Sequence, residues 1–271
     1  MSADAATTSR IVWLSDLHFD ASDRVLGHDP RARLDAAIDY VNAHYGDARL
    51  CVISGDMVET ASAKNYATLR QSLDRLCLPW HPMTGNHDSR ALLRTHLPLP
   101  ETAMPDFVQY EIALPQARLL CLDTLMEGSG KGVLCQTRLD WLRERLAAPD
   151  DGRPIIIFMH HPPMALGLPM LDPMRLENGE TLLRILRATP AVRQLCFGHI
   201  HRPVAGSIQG MAYCGLRSVL YQAPPPRPDW TWDTFAPAHE APELGVITLD
   251  DGRVMVQTLA FCPAGFGVAS V

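Results

Sequence analysis

The sequence predicts a layered α/β domain, and three features agree on it. As far as residue 200, short apolar runs alternate with segments of helical period. Beyond residue 203 the pattern changes to closely spaced strand candidates. Motifs rich in Asp, His and Gly fall directly after the apolar runs, at the carboxyl ends of strands, where α/β sheets build their sites.

Residues 11–14 (IVWL) read as a first strand, and from Arg33 the residues Leu34, Ala37, Ile38 and Val41 recur at i, i+3, i+4, i+7, the period of a helix. Residues 50–53 (LCVI) repeat the strand signature, Tyr66, Leu69, Leu73 and Leu76 mark a second helix, and Trp80 to Met83 leads into Gly85. The first third is therefore a βαβαβ run. Further strands are expected at 118–122, 155–159 and 193–197, with helices carrying Leu139, Leu142 and Leu146, then Leu182, Leu183 and Leu186. The C-terminal candidates are 203–208, 211–215, 244–249 and 253–259, with Asp251-Gly252 as a hairpin turn. Residues 223–242 hold six prolines and the aromatics Trp230, Trp232 and Phe235, too proline-rich for a strand or helix interior, and are expected to form a surface loop, with a substrate lid or a dimer contact as the alternative. With no internal repeat and no linker, 1–271 is expected to be one domain whose part from 203 to 271 is rich in β-structure.

A chain of 271 residues, 47% of them hydrophobic, can bury a sizeable core. Its net charge of -6 offers no footprint for a nucleic-acid polymer or an anionic membrane surface. Met1 to Arg10 lacks the basic-then-apolar pattern of an export signal, and no apolar run approaches the roughly 18 residues that span a bilayer. Seven cysteines, odd in number and without a C-x-x-C pair, suggest free thiols in a reducing compartment, so the cytoplasm is the expected location.

Five motifs carry the chemistry: Asp16-Leu17-His18, Gly55-Asp56-Met57-Val58-Glu59, Gly85-Asn86-His87-Asp88, His160-His161 and Gly198-His199-Ile200-His201. In an extended segment residues i and i+2 point the same way, so Asp16 with His18, and His199 with His201, can each present two ligands to one place. Gly55, Gly85 and Gly198 allow the sharp turns and close backbone approach of a loop folding over an ion. Carboxylate, imidazole and amide donors without thiolate suit Mn, Fe, Zn or Co. Seven candidates, Asp16, His18, Asp56, Asn86, His160, His199 and His201, are too many for one ion, so two cations with Asp56 as the bridging carboxylate are expected. Such a pair activates a bridging hydroxide for in-line attack at phosphorus, and His87 is placed to protonate or hydrogen-bond the leaving oxygen.

Taken in this order, the five motifs resemble those of the calcineurin-like metallophosphoesterases from Ile11 to at least His201. Flanking text such as SDLHF, GNHD, FMHHPP, LDPMRLENGETLL and GHIHR is similar to the bacterial class III cyclic nucleotide phosphodiesterases and glycerophosphodiesterases. The resemblance implies a four-layer α/β/β/α sandwich of two mixed sheets. It also implies one metal on Asp16, His18, Asp56 and His201, a second on Asp56, Asn86, His160 and His199, and a substrate-facing His87. Glu59 stands where many relatives carry Asp, and is expected to orient His87. Tyr221 of Ser218-Val219-Leu220-Tyr221-Gln222 falls where relatives carry a substrate-side His, and its phenol can still donate to a phosphate oxygen.

The implied activity is hydrolysis of small phosphodiesters, 3',5'-cyclic nucleotides such as cAMP first. Glycerophosphodiesterase or broad phosphodiesterase and phosphomonoesterase activity is the alternative, and a homo-oligomer is compatible with the family. A non-enzymatic scaffold on the same fold would be expected to have lost a histidine, and none is missing. His161 is expected to support a ligand rather than be one. Asp88 is expected to cap the helix begun by Ser89, and Glu177 and Asn178 to begin the helix at 180–187. His28, His44, His81, His96 and His239 carry no partner pattern and default to surface or core.

Overall fold

The computed structural model describes residues 8–149, 151–250 and 252–269. Most of the stretch read for an export signal, Met1–Thr7, lies outside them, as does Asp251 of the expected hairpin turn. The elements in chain order are β1 (Ser9–Leu14), α1 (Pro30–His44), β2 (Leu50–Ile53), α2 (Ala63–Leu73), β3 (Trp80–Pro82), α3 (Arg90–His96), β4 (Tyr110–Ala113), β5 (Arg118–Cys121), α4 (Gln136–Leu146), β6 (Ile155–Met159), α5 (Gly179–Arg187), β7 (Val192–Phe197), β8 (Val204–Ile208), β9 (Met211–Gly215), β10 (Glu243–Asp250) and β11 (Arg253–Ala260).

Local chemistry sets the helix starts. α1 opens ahead of its apolar period because Asp29 accepts from Ala32 N at 3.0 Å and Pro30 takes the first helical position, where its missing N–H has no intrahelical partner to lose. α2 is capped by Ser62. α3 is capped by Ser89, whose side chain accepts from Leu92 N, so the expectation that Asp88 caps this helix is corrected. Asn178 does sit at the start of α5, but its side-chain amide pairs with Leu134 N and O instead of capping. β4 escaped the sequence reading because it is four residues long and only half-buried; it pairs antiparallel with β5 across the Pro115 turn.

The strands form two mixed sheets, ordered β11-β10-β1-β2-β3 and β4-β5-β6-β7-β9-β8. β1, β2 and β3 run parallel, and so do β5, β6, β7 and β9. The C-terminal strands divide between the sheets: β8 and β9 extend the second, β10 and β11 the first. Asp250 pairs with Arg253 across the tight β10–β11 connection.

Side-chain alternation along β6 separates the layers. Ile156 and Phe158 enter a core shared with Trp13 and Val52 of the first sheet, Ile38 of α1 and Leu69 of α2. Ile155, Ile157 and Met159 face Leu139, Leu142, Leu182 and Leu186 of α4 and α5. The order is helices, sheet, sheet, helices, and Trp13 meets Phe158 edge-to-face across the central layer at 5.9 Å. Among the described residues no helix is long and apolar enough to cross a membrane.

Candidate metal centre

Every motif singled out in the sequence follows a strand that runs parallel to at least one neighbour in its sheet. Asp16 comes after β1, Asp56 after β2, Asn86 and His87 after β3, His160 and His161 after β6, and His199 and His201 after β7. Chain direction therefore delivers all of them to one rim of the molecule.

The backbone there is not the extended segment expected from the i, i+2 spacing. Asp16, His18, Asp56, His199 and His201 have φ of 54°, 41°, 48°, 70° and 49°, in the left-handed region that non-glycine residues seldom occupy. Asp16 and His18 do converge, but through tight left-handed turns, whereas His199 and His201 part into different donor groups, which corrects the expectation for that pair. Such strain gathered at one place marks a functional site. Of the three motif glycines only Gly55 has positive φ, at 101°. Gly85 and Gly198 serve close approach: a Cβ on Gly85 would stand 2.2 Å from Asp56 Oδ1, and one on Gly198 2.1 Å from Ser15 Oγ.

Donor atoms of Asp16, His18, Asp56 and His201 lie within 4.8 Å of one another, as do those of His160, His161 and His199. Asp56 Oδ2 stands 3.5 Å from His18 Nε2 and 3.3 Å from His160 Nε2, between the two groups. Asn86 Oδ1 is 3.2 Å from His160 Nε2. Asp16 Oδ1 accepts from His199 N at 3.0 Å and stands 3.4 Å from His201 Nε2.

Acceptors behind the rings decide which nitrogen faces inward. His18 Nδ1 donates to Glu59 Oε2 at 2.7 Å, His160 Nδ1 to Ser54 O at 2.9 Å, and His201 Nδ1 to Tyr221 O at 2.8 Å. Carboxylates and carbonyls only accept, so each ring turns its Nε2 toward the cluster, the arrangement metal-binding histidines require. His199 Nε2 is buried without a hydrogen-bond partner, a cost that a cation would remove. The donor set of nitrogens and oxygens, the orphaned nitrogen and the glycine-dependent approach all fit a metal cluster.

The charges are mutually dependent. Burial would raise Asp16, but the neighbouring His201 and His160 outweigh it and hold the carboxyl at about 2. Burial would likewise raise Asp56, yet His160 and His87 hold it well below its ordinary value. Burial lowers His160, but the Asp56 and Asp16 carboxylates carry it up to about 9. Burial and then the His160 charge push His199 down to about 3.

Glu59 serves two rings: its Oε2 accepts from His18 Nδ1 at 2.7 Å and stands 3.6 Å from His87 Nδ1, which donates to the Glu59 main-chain O at 2.8 Å. The His87 N–H also donates to Asp56 Oδ1 at 2.9 Å. His161 is wholly buried beside His160 and His199, with Nδ1 2.8 Å from Thr124 Oγ1 and Nε2 unpaired. Asp88, passed over as a cap, instead ties three elements together: it accepts from Met57 N at 3.1 Å, Gly85 N at 2.9 Å and the Tyr66 hydroxyl at 2.8 Å. Burial, followed by the Asp56 charge, raises it to about 7. Its place at the end of Gly-Asn-His-Asp was the available signal.

The cluster opens into a cavity that is continuous with solvent. Tyr221 lines it, its ring 4.4 Å from that of His201. Trp230, Trp232 and Phe235 line it too, so the proline-rich segment is irregular as expected but is not a plain surface loop. Met170, Leu171 and Met174 form the facing wall. These apolar residues have no period in the sequence that could have revealed their role. Of the five histidines left without a role, His28 is buried, with its ring 6.3 Å from Tyr221, and does not reach the cluster.

The model of the calcineurin-like phosphoesterase family matches residues 9–203. A probable cyclic nucleotide phosphodiesterase of Rhodopseudomonas palustris is 30% identical over 93% of this chain and 92% of its own. The glycerophosphodiester phosphodiesterase GpdQ of Enterobacter lignolyticus is 31% identical over 79% of this chain and 78% of its own. Among solved structures, a dimetal phosphatase from Danio rerio superposes with a TM-score of 0.71 at 16% identity, covering 94% of this chain and 97% of that one, a likeness of fold.

Proposed function

The chain belongs to the calcineurin-like phosphoesterase family and is a metal-dependent phosphodiester hydrolase, and from that premise we propose that it cleaves 3',5'-cyclic nucleotides, cAMP first among them, at a pair of cations. The observation that carries the dinuclear reading is Asp56, whose Oδ2 faces His18 Nε2 at 3.5 Å and His160 Nε2 at 3.3 Å. Asp16, His18, Asp56 and His201 would hold one ion, and Asp56, Asn86, His160 and His199 the other. Bound there, cations of the Fe, Mn, Zn or Co type lower the pKa of a water and neutralise charge on the phosphoryl oxygens.

The chain's own groups do the rest. The His87 main chain fixes Asp56 while its ring, anchored through Nδ1, keeps Nε2 free to give a proton to the departing alkoxide. Burial works against a protonated His87, but Asp56 and the Glu59 carbonyl outweigh it and raise its pKa, which suits a general acid. The Tyr221 phenol, on the cavity wall, donates to a phosphate oxygen.

The R. palustris relative, matched over more of the chain than the glycerophosphodiesterase, supports cyclic nucleotides as the first substrate class. All seven cysteines are free, which fits a reducing cytoplasm. The test compares turnover of cAMP, 2',3'-cyclic AMP, glycerophosphoethanolamine and p-nitrophenyl phosphate by metal-reconstituted protein, with and without chelator. Chelator-sensitive cleavage led by cAMP supports the reading; preference for another diester or for the monoester replaces it.

A further inference from the structure

The cavity is polarised. At its floor stand Asp56, Asn86 and the histidines, and above them the wall is almost wholly apolar. Aromatic rings lead away from the floor in short steps: His201 to Tyr221 at 4.4 Å, Tyr221 to Phe235 at 6.3 Å, Phe235 to Trp232 at 5.8 Å. Trp232 is 56% exposed although it is large and apolar, on a segment held by its own short turn, the capping box between Thr231 and Thr234. Beyond the floor, no lysine, arginine or carboxylate among the described residues lines the cavity.

A substrate that spans this cavity has a phosphodiester at one end and a flat, weakly polar group at the other. A nucleobase meets both demands, since every base offers a π-face to an aromatic side chain. A glycerol headgroup does not, because its hydroxyls would lose water against Trp232 and Met174 without gaining partners. We infer that Phe235 and Trp232 form the base-binding platform, and that residues 223–242 thereby set the preference for cyclic nucleotides over glycerophosphodiesters. The inference rests on the phosphodiesterase reading above and adds to it the residues that choose the substrate.

The experiment uses metal-reconstituted full-length protein and the variants Trp232→Ala and Phe235→Ala, with cAMP and glycerophosphoethanolamine as substrates. Loss of base stacking is expected to raise KM for cAMP by about tenfold or more in each variant, with kcat changed far less. The ratio of the two KM values should move with it. A shift of equal size for both substrates, or none for cAMP, overturns the platform. Calorimetric binding of 5'-AMP and glycerol 3-phosphate to the same proteins gives a second readout. If the wild type cleaves no diester, the phosphodiesterase reading falls, while the platform still requires 5'-AMP to bind more tightly and to lose that advantage in Trp232→Ala. Equal affinity, or an unchanged advantage, would sink it. Tighter binding of glycerophosphocholine than of 5'-AMP would also overturn it, by showing a cage for a quaternary ammonium instead.

Discussion

His160 Nε2 stands 3.3 Å from Asp56 Oδ2 with both side chains buried, so each group sets the charge of the other. Stripped of metal, the protein keeps a proton on His160 until about pH 9, and a cation binding there must displace it. Apparent metal affinity is therefore expected to rise with pH by up to about tenfold per unit, flattening near pH 9. Calorimetry in buffers of different ionisation enthalpy would count the protons released; no release at pH 7 would contradict the assignment. The same raised pKa has a stability consequence. The contribution of the His160–Asp56 pair to metal-free protein is complete below about pH 6.5 and is lost as pH climbs through 9, so chelated protein should lose thermal stability over that interval.

Asp56 faces both groups of histidines, and its removal should undo both. Asp56→Ala is expected to lose bound metal and to lower turnover by at least about 100-fold, more than a residue behind the ligands would. Metal analysis beside kinetics decides it; full activity with full metal content would remove Asp56 from the centre.

His87 should behave differently. With its ring held by Glu59 O and its Nε2 directed away, His87→Ala is expected to lower kcat by about 100- to 10,000-fold while metal content stays near that of the wild type. Parallel loss of metal would show that the ring supports the cluster instead of the substrate.

The 2.7 Å contact from His18 Nδ1 to Glu59 Oε2 fixes the orientation of a proposed ligand. Glu59→Ala is expected to weaken metal affinity or activity by about 10- to 100-fold, and Glu59→Gln, which still offers an acceptor oxygen, by less. Competition with a chromophoric chelator measures both.

Much of this centre was legible in the sequence because metal chemistry restricts residue types: Asp16, His18, Asp56, Asn86, His160, His199 and His201 stand out by composition and by following apolar runs. The reason they converge was not legible. Asp16 and His201 take left-handed φ where extended backbone was expected, and the i, i+2 argument was right that Asp16 and His18 meet but not that His199 and His201 do. The sharing of Glu59 between two histidines, its carboxylate facing both and its carbonyl holding His87, likewise exists only once β2 and β3 are packed. Trp230, Trp232 and Phe235 were visible as residues but carried no period, since a proline-rich segment takes its course from what it lies against. β4 was too short for alternation to register.

The two sheets divide the cluster between them, with Asp16, Asp56 and Asn86 following strands of one and His160, His199 and His201 following strands of the other. Like the jaws of a vice, the sheets set the gap between their own teeth. Trp13 packs on Phe158 across that gap and donates to Ser54 Oγ, which bonds Ser15 Oγ, which in turn bonds Asp16. A cavity cut at Phe158 by replacement with Ala should cost about 3–5 kcal/mol of stability, as any large core truncation does. Here it should also misalign the jaws, so turnover measured well below Tm should fall in protein that is still folded; unchanged turnover would show that the loops hold their spacing without the core. Reactivity at the rim is in this sense a measure of how two slabs of β-structure are clamped together beneath it.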